Sequence, residues 1–166
     1  MTDAADSVME TLNQEAAESA RPRVGITMGD PAGIGPEVVL KAVAESEVTA
    51  CCQPVIIGDA QLLAHTARTL DLNCGYDIVR RDEDFPPPSS APIIFHLNNI
   101  HGHIEPGVES GVAGKAAAEY IEAAVGLCGA GNIAAISILR HLCPSVCICG
   151  FNSTFPRRSR HFSQTL

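Results

Sequence analysis

The stretch Val24-Gly25-Ile26-Thr27-Met28-Gly29-Asp30-Pro31-Ala32-Gly33-Ile34-Gly35-Pro36-Glu37 joins a short apolar run to a loop of glycines, prolines and an acid. Gly29, Gly33 and Gly35 let the backbone approach a ligand or adopt a positive φ without a Cβ penalty. Pro36 suits a first helical position, where its missing N–H has no partner to lose, and Glu37 then sits in the favourable field of the helix start. A loop of this kind at the carboxyl end of a parallel strand is where open α/β sheets bind ligands, and free N–H groups at the helix start favour anions. Asp30 is expected to line that cleft. The same residues also fit an ordinary strand-to-helix turn. The spacing Gly29-x3-Gly33-x-Gly35 is not the G-x-G-x-x-G dinucleotide fingerprint, so the glycines alone imply no particular cofactor.

Four further groups carry chemistry. His101-x-His103 with Glu105 nearby offers imidazole and carboxylate ligands for a metal, or is a solvated loop. Cys143-x3-Cys147-x-Cys149, preceded by His141, has zinc-ligand residue types without the paired C-x-x-C spacing that makes such sites specific. Arg157, Arg158 and Arg160 could touch phosphate, and Lys115 is a candidate for a site contact or for a surface ion pair.

The elements that must position these residues are legible from periodicity. Val24–Met28 reads as a strand and Pro36–Glu45 as a helix, followed by a buried strand over Pro54–Gly58. Asp59 is a plausible N-cap for a helix whose apolar face is Leu62, Leu63, Thr66, Ala67 and Leu70. Tyr76–Arg80 and Pro92–Leu97 read as strands on either side of an acidic, proline-rich connection over residues 82–90. Ser110 caps a long helix ending near Gly129 and Gly131, and Ile133–Ile136 reads as the strand after it. Short apolar strands alternating with helices indicate an α/β fold with a parallel-rich, mixed sheet and helices on both faces.

Composition narrows the class. The 166 residues are 46% hydrophobic and 18% charged, enough for one modest domain. No apolar run approaches the roughly 20 residues of a membrane span, and the acidic start lacks the features of a secretory signal, so a cytoplasmic protein with no membrane role is expected. Seven cysteines in that compartment read as reduced thiols. The net charge of −8 argues against nucleic acid as a partner. All nineteen acids lie at or before Glu122, while the four arginines after it face no acid at all, so the chain reads as two unlike pieces.

The block Gly25–Glu37 resembles the amino-terminal signature of the 4-hydroxythreonine-4-phosphate dehydrogenase family of pyridoxal phosphate biosynthesis. A second block, Glu105–Ala124, is similar to the helix that precedes the catalytic segments of that family, with its G-x-x-S-G start at Gly107–Gly111 and an AAxEYIExA body at Ala116–Ala124. Together the resemblance covers roughly residues 23–136. It stops where the family continues with Thr-x-Pro-x-x-Lys and Gly-His-Thr-Glu segments, which this sequence lacks.

The resemblance implies oxidation of a phosphorylated hydroxy amino acid by NAD or NADP, followed by decarboxylation, in a homodimer that shares a divalent metal (zinc, magnesium or cobalt). It implies a two-domain fold of which this chain holds part: a flexible leader over 1–22, a partial α/β domain over 23–136, and a non-family tail over 137–166. That tail reads as a shifted reading frame or as a genuine variant, and residues 123–166 are expected to pack loosely. No catalytic residue and no metal ligand carries over, because the family's three ligand histidines have no match among the six here. Gly29, Asp30, Gly33 and Gly35 are the candidate cofactor-binding residues. A sister dehydrogenase of 4-phosphothreonate or 4-phosphoerythronate shares the same signature, and a non-catalytic α/β fragment is the reading from another class.

Overall fold

The structure, a computed structural model, describes residues 21–72 and 75–138. The leader up to residue 20 lies outside the described residues, as does the tail from residue 139 with its His141, cysteine run and arginine cluster. In chain order the elements are β1 (Arg23–Thr27), α1 (Gly35–Ala44), α2 (Ser46–Cys51), β2 (Gln53–Gly58), α3 (Ala60–Thr69), β3 (Asp77–Arg80), β4 (Ile93–His96), α4 (Gly111–Gly129) and β5 (Ala135–Ile138). The strands form one sheet in the order β3-β4-β2-β1-β5.

Every strand pairing is parallel, so among the described residues the sheet is not the mixed one expected. The reason lies in the connections: none of them is a tight hairpin, and even the helix-free link between β3 and β4 crosses over the sheet. β2 is buried at all six positions, as a strand with neighbours on both edges and cover on both faces must be.

Right-handed crossovers fix the layers. The chain steps from β1 to β2 to β3 in one direction and back to β4 and β5 in the other, which puts α1 and α3 on one face and α4 on the opposite one. Residues paired in register share a face, so Thr27, Ile57 and Phe95 point one way and Ile56, Ile94 and His96 the other. The backbone N–H of Ala60, at the start of α3, donates to His96, placing α3 on the second of these faces. α4 lies on the first, where its buried Ala113, Ala116 and Ala124 let the helix approach the strands and Tyr120 fills the remaining depth. Each large aliphatic side chain buried in this core contributes about 1.5–3 kcal/mol.

The crossover between β3 and β4 is held by side chains instead of a helix. Phe85 stacks on Phe95 with ring centroids 5.8 Å apart, and the Arg23 guanidinium lies 5.1 Å from the Phe85 centroid. Arg23 donates through Nε to Gln53 Oε1 at 2.9 Å and through Nη2 to the Pro86 carbonyl. Gln53, fully buried, donates through Nε2 to Ser89 Oγ at 3.1 Å and to the Ala91 carbonyl at 3.0 Å. Three consecutive prolines cannot form a helix interior, so the link takes its polar bonds from the first residues of β1 and β2.

Three local expectations shift. α2 has no sequence signal, because its six residues bury nothing. The last strand runs over Ala135–Ile138 instead of Ile133–Ile136, since Ile133 turns inward under β1; a Cβ on Gly25 would stand 2.5 Å from Ile133 Cδ1. The described part of the segment expected to pack loosely is ordered core, with Ala124, Leu127, Ile133 and Ile136 all buried. α4 and β5 achieve this through their contacts with β1 and β2.

Candidate functional site

The glycine loop leaves β1 at its carboxyl end. Met28 N donates to the Ile57 carbonyl at 2.9 Å, extending the β1–β2 pairing by one residue. Gly29 then takes φ = 75°, a left-handed conformation in which a Cβ would be strained. Asp30 Oδ1 accepts from Ala32 N at 2.9 Å and the Asp30 carbonyl from Gly33 N at 3.0 Å, so the exposed Asp30 carboxylate shapes the turn itself. The chain folds back until Gly35 touches the strand it left; a Cβ there would lie 2.0 Å from the Met28 carbonyl oxygen. At Gly33 the expected conformational demand is absent. Its φ is not positive, and a Cβ would meet its nearest neighbour at 3.4 Å, an ordinary contact. The reason is that the left-handed step has already been made at Gly29.

Ile34 is the N-cap of α1 and provides no side-chain cap, and Glu37 in the first turn pairs with Lys41 at 2.6 Å. The long connection between β4 and α4 is tied to the glycine loop by Gly107 N, which donates to the Ala32 carbonyl at 2.7 Å. Between these two loops and the outer side of α3 lies a cavity of about 670 Å³. Gly33, Ile34 and Glu37 line it from the first loop, Leu62, His65, Thr66 and Thr69 from α3, and Ile100, His103 and Ile104 from the second. No Lys or Arg is among its lining residues, while the acids Glu37 and Asp59 are. Its size suits a small-molecule site.

Of the four sequence candidates, Gly33 lines this cavity, whereas Gly29, Asp30 and Gly35 form the turn behind it. His103 reaches the cavity wall, but no group of three His, Cys, Asp or Glu side chains gathers for a metal among the described residues. Lys115 is an exposed side chain 3.8 Å from Glu119 and is not among the residues lining the cavity. Among the described residues Cys51, Cys52 and Cys128 are free thiols, and burial together with neighbouring Cys51 pushes the Cys52 thiol up to about 11.

A pair that sequence reasoning passed over sits where β2 and β4 end side by side and their chains leave toward opposite faces of the sheet, a preferred ligand position in α/β folds. Asp59, buried, accepts from Gln61 N at 2.9 Å and Leu62 N at 3.0 Å, and so caps α3 as expected. His96 Nδ1 accepts from Ala60 N at 3.0 Å, which leaves the ring proton on Nε2. The α3 start is therefore fully bonded and offers no anion site. A smaller cavity of about 390 Å³ adjoins here, lined by Arg80, Arg81, Asp82, His96 and Asn98, and it shares Gln61 with the larger one. Asn98 holds φ = 51° as the chain leaves β4. The signal for the pair was the strand register, Gly58 opposite His96, which composition and spacing do not reveal.

Under α4, the Tyr120 hydroxyl is buried with no hydrogen-bond partner, as is Thr27 Oγ1. Burial first, then the Asp59 and Glu119 carboxylates, raises the Tyr120 pKa strongly. A phenol whose pKa is higher in the folded state stabilises the fold fully below its unfolded value near 10 and loses that contribution as pH rises above it. Tyr120→Phe removes both the unpartnered hydroxyl and this titration. The variant is expected to gain about 1 kcal/mol at neutral pH and to show a shallower loss of stability above pH 10, read by urea unfolding across pH.

No family model matches the chain. A Clostridium botulinum protein named provisionally as a D-threonate 4-phosphate dehydrogenase is 35% identical over 118 residues, which are 70% of this chain and 35% of that protein. The crystal structure of a 4-hydroxythreonine-4-phosphate dehydrogenase from Burkholderia phymatum superposes with a TM-score of 0.63 at 36% identity, covering 71% of this chain and 36% of that one. The Klebsiella pneumoniae enzyme of the same name gives a TM-score of 0.59 at 28% identity, over 72% of this chain and 37% of that one. The chain thus spans about a third of the length of the relatives it matches.

Proposed function

We propose, from an amino-terminal portion homologous to 4-hydroxythreonine-4-phosphate and D-threonate 4-phosphate dehydrogenases, that this chain contributes to an oxidoreductase acting on a phosphorylated four-carbon hydroxy acid. The observation that carries the reading is the glycine loop in its place at the carboxyl end of β1, bounding a ligand-sized cavity, within a segment that matches those dehydrogenases in both sequence and fold. The proposed cofactor is NAD or NADP, which when bound would take the hydride from the carbon bearing the substrate hydroxyl, while the hydroxyl proton passes to solvent. The 3-oxo acid so formed loses carbon dioxide readily, because the adjacent carbonyl takes up the charge.

What this chain's residues supply is binding and orientation. Gly29 and Gly35 set the turn, Asp30 locks it, and Gly33 and Ile34 line the cavity. Of the two acids on the cavity wall, Glu37 is paired with Lys41 and Asp59 is engaged in capping α3, so the wall carries no uncompensated charge. The described residues do not assemble the divalent site that the resemblance implies, so no step is derived through a metal. The assembly proposed is a homodimer in the cytoplasm, consistent with the absence, among the described residues, of any helix long and apolar enough to cross a membrane.

The relatives favour two substrates, 4-hydroxythreonine 4-phosphate and D-threonate 4-phosphate. Nicotinamide reduction should be followed with each of them, with NAD and with NADP, in the presence of a divalent cation. This chain alone, which spans about a third of its relatives' length and carries none of the family's catalytic residues or metal ligands, is expected to give no reduction with any of these pairs; reduction with one of them overturns that expectation. Gly33→Leu supplies the arm specific to the cavity. Its side chain has room to enter, so nucleotide affinity is expected to fall about tenfold, the effect of losing roughly 1.4 kcal/mol, with the melting temperature unchanged. Unchanged affinity places the nucleotide elsewhere.

A further inference from the structure

We propose that the smaller cavity, at the carboxyl ends of β3 and β4, binds a phosphate group through side chains, as the free ion or as a small phosphate monoester. It is a different cavity from the one bounded by the glycine loop, and the proposal stands whether or not the chain serves a dehydrogenase. Strand register assembles the site. Arg80 pairs with His96 in the parallel β3–β4 ladder, so the two side chains leave the same face of the sheet from strands about 4.8 Å apart. That face carries α3, whose Gln61 also lines the cavity. Arg81 and Asp82 follow directly after β3, and Asn98 stands two residues past the end of β4. At about 390 Å³ the cavity is near the lower end of the range for small-ligand sites.

His96 is the observation that points to a ligand. Its side chain is only 10% exposed, and Nδ1 accepts from the Ala60 N–H, which fixes the ring proton on Nε2. Nε2 has no hydrogen-bond partner among the described residues, yet it is not one of the unpartnered polar atoms sealed from solvent, so this N–H opens into the cavity that the ring lines. A nine-tenths-buried donor with no acceptor in the chain is matched by an acceptor on a ligand. The charges select the kind of acceptor. Arg81 makes no ion pair among the described residues, Arg80 is held by Glu83 in an exposed pair at 2.9 Å, and Asp82 is the one acid among the lining residues. Two guanidinium groups against one carboxylate favour an oxyanion, and the forked donors of arginine fit phosphate oxygens in pairs. With His96 and the amides of Gln61 and Asn98, five side chains can donate. That number exceeds what the two oxygens of a carboxylate can face at once and suits the three terminal oxygens of a phosphate.

Inorganic phosphate and glycerol 3-phosphate are the probes, titrated into the full chain without cofactor and at constant ionic strength set by chloride, so that screening does not change. Calorimetry is expected to give saturable binding with a Kd of ~1 mM or tighter. In NMR spectra the His96 ring signals should shift along the titration while those of His103, on the wall of the larger cavity, stay in place. Tighter binding of the ester assigns a phosphorylated small molecule, and equal binding assigns free phosphate; both support the site. Arg81→Gln is expected to weaken binding about tenfold with the melting temperature unchanged, because Arg81 is exposed. His96→Asn retains an acceptor for the Ala60 N–H and removes the Nε2 donor, and the folded variant is expected to weaken binding to a similar degree. No saturable binding of either anion up to about 10 mM overturns the proposal. So does binding that Arg81→Gln leaves unchanged, or a titration that shifts His103 and not His96.

Discussion

Gly35→Ala is expected to cost about 4 kcal/mol of folding stability or to prevent accumulation of folded protein altogether. The added methyl would sit 2.0 Å from the Met28 carbonyl oxygen and 3.2 Å from its carbonyl carbon. Those atoms are backbone at the carboxyl end of β1, which pairs in parallel with both β2 and β5, so they have no flexible end to swing aside. Relief requires moving either the start of α1, anchored by buried Pro36, Val39 and Leu40, or the strand itself. Displacements of that kind belong to the overpacking class that costs 1–3 kcal/mol in an ordinary core, with backbone against backbone at the upper end and beyond. Gly33→Ala is the internal control. Two residues earlier in the same loop, its methyl meets nothing closer than 3.4 Å, and it is expected to change stability by less than about 0.5 kcal/mol. Urea unfolding of the two variants side by side checks both values. Equal losses would mean that the tight fold-back of the loop onto β1 is wrong.

Gln53→Leu is expected to cost about 3 kcal/mol and to loosen the β3–β4 crossover ahead of the rest of the sheet. The side chain is fully buried, and leucine matches its bulk but keeps none of its three hydrogen bonds. The Ala91 carbonyl, the Ser89 hydroxyl and Arg23 Nε each lose a partner. Leaving such groups unsatisfied costs about 1–3 kcal/mol, more when one of them is charged. Hydrogen exchange locates the effect. Amides of residues 81–92 should exchange faster in the variant than in the parent, while those of β1 and β2 keep their order of protection. A uniform change across the sheet would show that the crossover is held by Phe85 and Phe95 instead of by the Arg23–Gln53 pair.

These two positions show what could be read from residues and what could not. The alternation of elements was legible because α1, α3 and α4 each have a periodic apolar face and each strand a short β-branched run. Asp59 and Ser110 announced helix starts, and both side chains do accept from the first-turn amides. The Val24–Glu37 loop was legible as a strand, a turn and a helix start for the same reason: glycine and proline restrict the local backbone without reference to anything distant. The sequence could say that the loop needed glycines. It could not say why each one was needed, since Gly29 serves a left-handed φ, Gly35 a contact with Met28, and Gly33 neither of these.

Tertiary structure decided everything that depends on residues far apart in the chain. Gln53 is a polar residue at the head of an apolar strand, and only the return of residues 86–91 across the sheet makes it a buried clamp. His96 and Asp59 are 37 positions apart and become neighbours because β2 and β4 pair in register. The wholly parallel sheet was likewise undetermined by pattern, because a half-buried strand has the same periodicity whichever way its neighbour runs. Periodicity reports how one element meets a surface, and the identity of that surface is set by packing among elements. For this reason the loop and the caps were written in the local sequence, while the cavity the loop helps enclose exists only once the sheet has brought β1, β2 and β4 side by side.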